Sequence, residues 1–112
     1  MGTNPAWKKR ERSIGHLFGG KRNGATGHRD NDIDHPLFAI EVKYRKTLPR
    51  WALDCLDQAK GARNATDKIP MAILIGRYMR VSDGLVVMRC QDFQELCGRI
   101  DSGEDIKIGG TD

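Results

Sequence analysis

Asp30-Asn31-Asp32-Ile33-Asp34-His35-Pro36-Leu37-Phe38-Ala39-Ile40-Glu41-Val42-Lys43-Tyr44 is the stretch on which the reading of this chain turns. Three acidic residues stand at alternate positions, an apolar run follows, and the run ends in Glu41-Val42-Lys43. Leu37-Phe38-Ala39-Ile40 with Val42 reads as a strand buried on both faces at its start. Side chains alternate along a strand, so Glu41 and Lys43 leave one face and Val42 the other. A carboxylate and an ammonium are thereby expected side by side at what should be core. Charged residues are rarely buried unless they are paired or hold a metal, and this placement is the strongest functional signal in the sequence.

Working upstream, residues 28–34 read as a short strand that His35-Pro36 turns back into the strand 37–44, giving an antiparallel hairpin. Asp30, Asp32 and Asp34 share parity, so strand alternation does not choose among them. His28 and His35 are ligands by residue type, but lone histidines beside turns are mostly structural or exposed, and neither is placed in a metal site. Thr3-Asn4-Pro5 is a helix start, with Asn4 as N-cap and Pro5 in the first turn, and the helix is expected to reach Leu17 or Phe18. Trp7, Ile14 and Phe18 mark its inner face, and Glu11 shares that face. Glu11 suits either a pair with Lys8 or a neighbouring Arg, or a place in a site. The segment 19–27 holds four glycines and is expected to be irregular. It is not a Walker loop, since GxxxxGK[ST] is missing. Its backbone N–H groups with Lys21 and Arg22 suit nucleic-acid phosphates, against the plainer reading of an ordinary loop.

Downstream, a helix is expected from about Leu48-Pro49 to Arg63. Trp51, Cys55, Gln58 and Ala62 share one face, broadened by Leu53, Leu56 and Ala59, and Trp51 is assigned to the core. Gly61 and Asn64 weaken and end this helix. The run 69–76 has the character of a central, doubly buried strand with a parallel neighbour reached through the crossover helix. Ser82-Asp83-Gly84 is a turn, 85–88 a strand, and 92–97 a short closing helix. Residues 1–98 are expected to form a single domain and 99–112 a frayed tail without a site.

The chain has 112 residues, enough for one modest core. Its first 50 residues hold eleven Lys or Arg against five Asp or Glu, within a net charge of +4, while the second half is near neutral. A basic half around an acidic centre suits an enzyme that grips a polyanion and carries metal at its middle; a solvated basic face is the plainer alternative. No apolar stretch approaches the ~20 residues of a membrane span, and no secretory signal is visible. Cys55, Cys90 and Cys97 form no CxxC pair and point to a reducing, cytoplasmic compartment.

Asp32-Ile33, a short turn and Ile40-Glu41-Val42-Lys43 together resemble the Asp…Glu-x-Lys core of the PD-(D/E)XK nuclease superfamily. Glu11 and the glycine-rich loop after it resemble its Holliday junction resolvase branch, including the small phage and archaeal resolvases. Asn31 stands where the superfamily's name has proline, at a position that is variable and carries no ligand. The resemblance spans roughly residues 7 to 90, and the choice of Asp32 over Asp30 and Asp34 rests on it. It implies an α/β restriction-endonuclease-like core, a central mixed sheet flanked by helices in the order α-β-β-α-β-β-α. It also implies Mg2+, with Mn2+ as a substitute, on Asp32, Glu41 and the Val42 carbonyl, Lys43 at the attacking water, and Glu11 completing the site. Lys21, Arg22, Arg45 and Lys46 are the expected DNA contacts, and Gln58 is a possible accessory residue, since the family often keeps a polar residue on that helix. Without an appended base-reading module the expected substrate is a branched four-way DNA junction. Symmetric cutting then calls for a homodimer, in the cytoplasm of a bacterial, archaeal or phage-infected cell. Nicked, flapped or duplex DNA as substrate, and a non-catalytic nucleic-acid-binding module, are the competing readings.

Overall fold

The computed structural model describes residues 6–23 and 31–110. Asn4 and Pro5, Asp30, His28 and residues 24–27 of the glycine-rich loop lie outside the described residues. The elements run α1 (Ala6–Leu17), β1 (Lys21–Arg22), β2 (Ile33–Asp34), α2 (Arg50–Gly61), β3 (Ala72–Leu74), β4 (Leu85–Val87) and α3 (Cys90–Asp101), with short 3-10 turns at Arg63–Ala65 and Val81–Asp83. The architecture is mixed α/β, three helices with two small antiparallel sheets. In place of the expected central mixed sheet the described residues form two separate antiparallel pairs, with β1 in the segment expected to be irregular and β2 inside the expected first strand 28–34. The chain folds as two compact units, Met1–Thr47 and Leu48–Asp112.

The first unit is built on Ile33, 1 % exposed. Helix α1 ends at a glycine with φ +72°, Gly19. There the Gly19 N–H donates to the His16 carbonyl at 3.3 Å and the Gly20 N–H to the Gly15 carbonyl at 2.7 Å, the paired bonds of a Schellman cap. The cap reverses the chain and carries Lys21-Arg22 into antiparallel pairing with β2, Lys21 opposite Asp34 and Arg22 opposite Ile33. Gly20 has to be glycine, because a Cβ there would lie 2.7 Å from both the Asp34 carbonyl oxygen and Ile33 Cγ2. The start of the glycine-rich segment is therefore regular, contrary to expectation, and two of its glycines are used for a cap and a close approach.

The expected hairpin is mostly not formed. Strand β2 is limited to Ile33–Asp34, and the segment 37–44 meets it in a single antiparallel bridge, the Ile33 N–H donating to the Ile40 carbonyl at 3.3 Å. His35 explains part of this. Its Nδ1 accepts the N–H groups of Leu37 at 3.0 Å and Phe38 at 3.2 Å, so these donors close a turn instead of entering a ladder. Val42 uses its N–H on the Asp32 side chain. The run expected to be doubly buried is instead open, with Leu37 77 % exposed.

In the second unit α2 packs on β3, and Leu56 is its one buried side chain. Trp51, expected in the core, is exposed, because the buried stripe runs through Leu56 and the half-buried Ala52, Leu53 and Ala59. Strand β3 pairs antiparallel with β4, Ala72 opposite Val87, Ile73 opposite Val86 and Leu74 opposite Leu85. Among the described residues β3 has no parallel neighbour. Ala72 and Leu74 are half-buried, while the opposed pair Ile73 and Val86 is exposed, so the strand is covered on one face only. The closing helix α3 is longer than expected and runs through Asp101 before its own glycine cap at Gly103, φ +83°.

Candidate functional site

The residues singled out in the sequence gather in the first unit. Asp32 lies one residue before the buried Ile33 and is partly buried. Its Oδ2 accepts the Val42 N–H at 2.7 Å, and its own carbonyl accepts the Asn23 N–H at 2.9 Å. The first of these bonds brings the Asp32 carboxylate onto the Glu-x-Lys segment, at the peptide that joins Glu41 to Val42. Asp34 stands across the ladder from Lys21, and both are exposed, so opposed charges account for it on the sheet surface. Asp30 lies outside the described residues. The structure thus gives Asp32 a link to Glu41-Val42-Lys43.

Glu41 and Lys43 do not emerge from a core. Their side chains are 54 % and 69 % exposed, since segment 37–44 is not embedded in a sheet, and they pair with each other at 3.1 Å. An exposed pair of this kind contributes about 0–1 kcal/mol and is easily opened by a competing cation. Arg45 and Lys46 follow it as exposed cations. Gln58 is an exposed residue of α2, in the second unit.

Glu11 is inward, as its helical position predicts, and 8 % exposed. Its partner is neither Lys8 nor a helical Arg. Arg22 Nε donates to Glu11 Oε1 at 2.8 Å, with the two side chains 17 % and 10 % exposed. Strand pairing explains the choice. Directly opposed residues of an antiparallel ladder project to the same side, so Arg22 follows Ile33 towards α1, and the nearest approach of Ile33 Cδ1 to a Cβ built on Gly15 is 3.4 Å. The Arg22 guanidinium also lies 5.5 Å from the centre of the Trp7 ring. Arg22 is therefore a fixed cation, while Lys21, next to it, is exposed.

Trp7, expected on the inner face, is 42 % exposed, and its ring carries Lys8 as well as Arg22, each at 5.5 Å. Tyr44, 50 % exposed, lies under Arg10 at 5.9 Å. These aromatic–cation pairs were not recognised as a feature of the sequence. The signal for them was the interleaving of Trp7 with Lys8-Lys9-Arg10 and of Tyr44 between Lys43 and Arg45.

The carboxylates of Asp32 and Glu41 and the Val42 carbonyl are hard oxygen donors, the chemistry that magnesium or manganese takes. The Val42 peptide is already held against Asp32. Glu41 is engaged by Lys43, and among the described residues no three His, Cys, Asp or Glu side chains converge as a metal-binding group. The donor set thus fits a hard cation in kind, and Lys43 is paired with one of the two Glu41 carboxylate oxygens, Oε2. His35 Nδ1 is occupied by the backbone N–H groups of Leu37 and Phe38. Among the described residues no helix is long and apolar enough to cross a membrane.

No family model matches the chain, and no curated protein or solved structure matches it either.

Proposed function

We propose that the chain is a metal-dependent DNA endonuclease with a PD-(D/E)XK-type, restriction-endonuclease-like core, acting on four-way junctions as a homodimer. One observation carries the reading, the 2.7 Å bond from the Val42 N–H to the Asp32 carboxylate. It joins the two halves of the Asp…Glu-x-Lys signature across ten positions of sequence, beside a Glu41–Lys43 pair held at 3.1 Å. The basic first half of the chain, with Lys21, Arg45 and Lys46 exposed, supports a polyanionic substrate.

In this mechanism Asp32 and Glu41 would hold the cation together with the Val42 carbonyl. When bound, magnesium supplies Lewis-acid stabilisation of the phosphoryl and leaving oxygens and a more acidic water. Asp32 keeps its bond to the Val42 N–H and so fixes the position of the third donor. Lys43, beside Glu41, would orient the attacking water and offset charge growing on the phosphate. Glu11 acts through Arg22 in this arrangement, holding the guanidinium in place for a DNA phosphate.

The test is cleavage of a labelled four-way junction, with matched duplex as control, in magnesium and in EDTA. Metal-dependent, paired nicks confined to the junction are expected, with Glu41→Gln and Lys43→Ala each lowering cleavage at least 100-fold while junction binding stays within about threefold. Equal cutting of both substrates would remove the junction from the proposal and keep the nuclease. The second reading, a binding module without catalysis, is favoured by the Glu41–Lys43 pairing and the lack of three converging ligands among the described residues. It predicts binding without cutting and no effect of Glu41→Gln.

A further inference from the structure

We infer that α1 and the residue after Lys43 form a surface that takes unpaired nucleobases, Trp7 and Tyr44 stacking on the bases and Lys8, Arg10 and Arg22 meeting the flanking phosphates. The inference extends the nucleic-acid reading of the first unit and rests on it, but its test involves no cleavage. Trp7 and Tyr44 are the two large aromatic rings of this unit that carry cations, and both remain about half exposed, 42 % and 50 %. Lys8 and Arg22 share the Trp7 ring and Arg10 sits on the Tyr44 ring, so α1 brings cations and open aromatic faces together beside the residue that follows Lys43.

The chemistry narrows the partner. Single-stranded nucleic acid alternates a flat π-face with a negative charge at every residue, and proteins that hold it combine aromatic platforms with basic side chains. An acidic peptide offers the charge without the ring. A fully paired duplex hides its base faces in the stack, so it would meet only the cations. Arg22 is positioned for this by Glu11, which holds its Nε at 2.8 Å and keeps the guanidinium beside the Trp7 ring. Tyr44 directly follows Lys43, so a base stacked on it is presented beside the Glu41–Lys43 pair. The surface therefore selects DNA that has an unpaired or splayed nucleotide next to the phosphate to be attacked, as a branch point or flap has.

The experiment measures binding in EDTA to a short oligothymidylate and to an oligomer of equal length and charge made of abasic residues. Trp7 fluorescence is the signal, in a Trp51→Phe background, Trp51 being an exposed residue of α2. The expected result is saturable quenching by oligothymidylate and at least about tenfold weaker binding of the abasic strand, in line with the stacking contribution per base. Trp7→Ala and Tyr44→Ala, read by a dye on the oligomer, are each expected to shrink that ratio about threefold or more, and Trp7→Phe to restore it. Equal affinity for the two oligomers in the parent chain would overturn the inference, as would an unchanged ratio in both alanine variants. Junction cleavage with an unchanged ratio would overturn this inference alone. Base-dependent binding without cleavage would support it while removing the nuclease proposal.

Discussion

Asp32 has two separable tasks, and the residue scale is where they come apart. Its Oδ2 satisfies the Val42 N–H, a task a neutral amide oxygen can also perform. Its negative charge is what the proposed mechanism uses to hold a cation. Asp32→Asn is therefore expected to keep the thermal midpoint within a few degrees and to abolish metal-dependent cleavage, while Asp32→Ala also destabilises by about 1 kcal/mol. Chemical denaturation beside the junction assay checks both. Glu11 is simpler. Its removal leaves the part-buried Arg22 guanidinium without its carboxylate, and Glu11→Ala should destabilise the chain by roughly 1–3 kcal/mol. Ile33→Ala empties the centre of the first unit, with an expected loss of about 3 kcal/mol in the same measurement.

At the scale of elements, two helices end by the same device. Helix α3 closes with the Gly103 N–H on the Ile100 carbonyl at 3.0 Å and the Glu104 N–H on the Arg99 carbonyl at 3.2 Å. The Glu104 side chain then grips the Arg99 guanidinium with two bonds, 2.9 and 2.7 Å. Gly103→Ala places a Cβ in the left-handed region and should destabilise by about 1 kcal/mol, seen as lost helicity and a lower denaturation midpoint. The hydrogen bond from Arg99 holds the Glu104 carboxyl below its ordinary 4.5. A carboxyl lowered in the folded state contributes stability that is complete above its unfolded value and disappears as pH falls through its folded value. Helix α3 should thus lose a small increment of stability on acidification below about 4.5, and Glu104→Gln should remove that pH dependence. The three helices were legible from sequence because each spans 12 residues, about three turns, long enough for apolar residues to recur at helical spacing. Strands β1 and β2 were not, since two-residue strands have no period to read, and β1 sits among glycines that argue for a loop. The partners of Glu11 and Asp32 lie eleven and ten residues away, beyond any helical or strand spacing rule. Residue types at the candidate site were legible; their mutual contacts, created by a reversal at Gly19 and a turn at His35, were not.

For the whole molecule, charge is the property with the widest reach. With eleven of the nineteen basic residues in the first 50 positions, affinity for DNA is expected to fall steeply with salt. A linear log–log plot whose slope decreases by about one on Lys21→Ala, and likewise on Lys46→Ala, would assign one phosphate to each. A flat plot would point to binding through the aromatic rings alone. The clamp at Asn23 also bears on how the chain can change in length. Its backbone N–H reaches the Asp32 carbonyl at 2.9 Å and its side-chain Nδ2 the Asn31 carbonyl at 2.8 Å, so the chain leaves and returns at one point. Both closing contacts are made by Asn23, Asn31 and Asp32 themselves, so a peptide label inserted between Asn23 and Asn31 is expected to leave the Asp32–Val42 junction closed, checked by an unchanged denaturation midpoint.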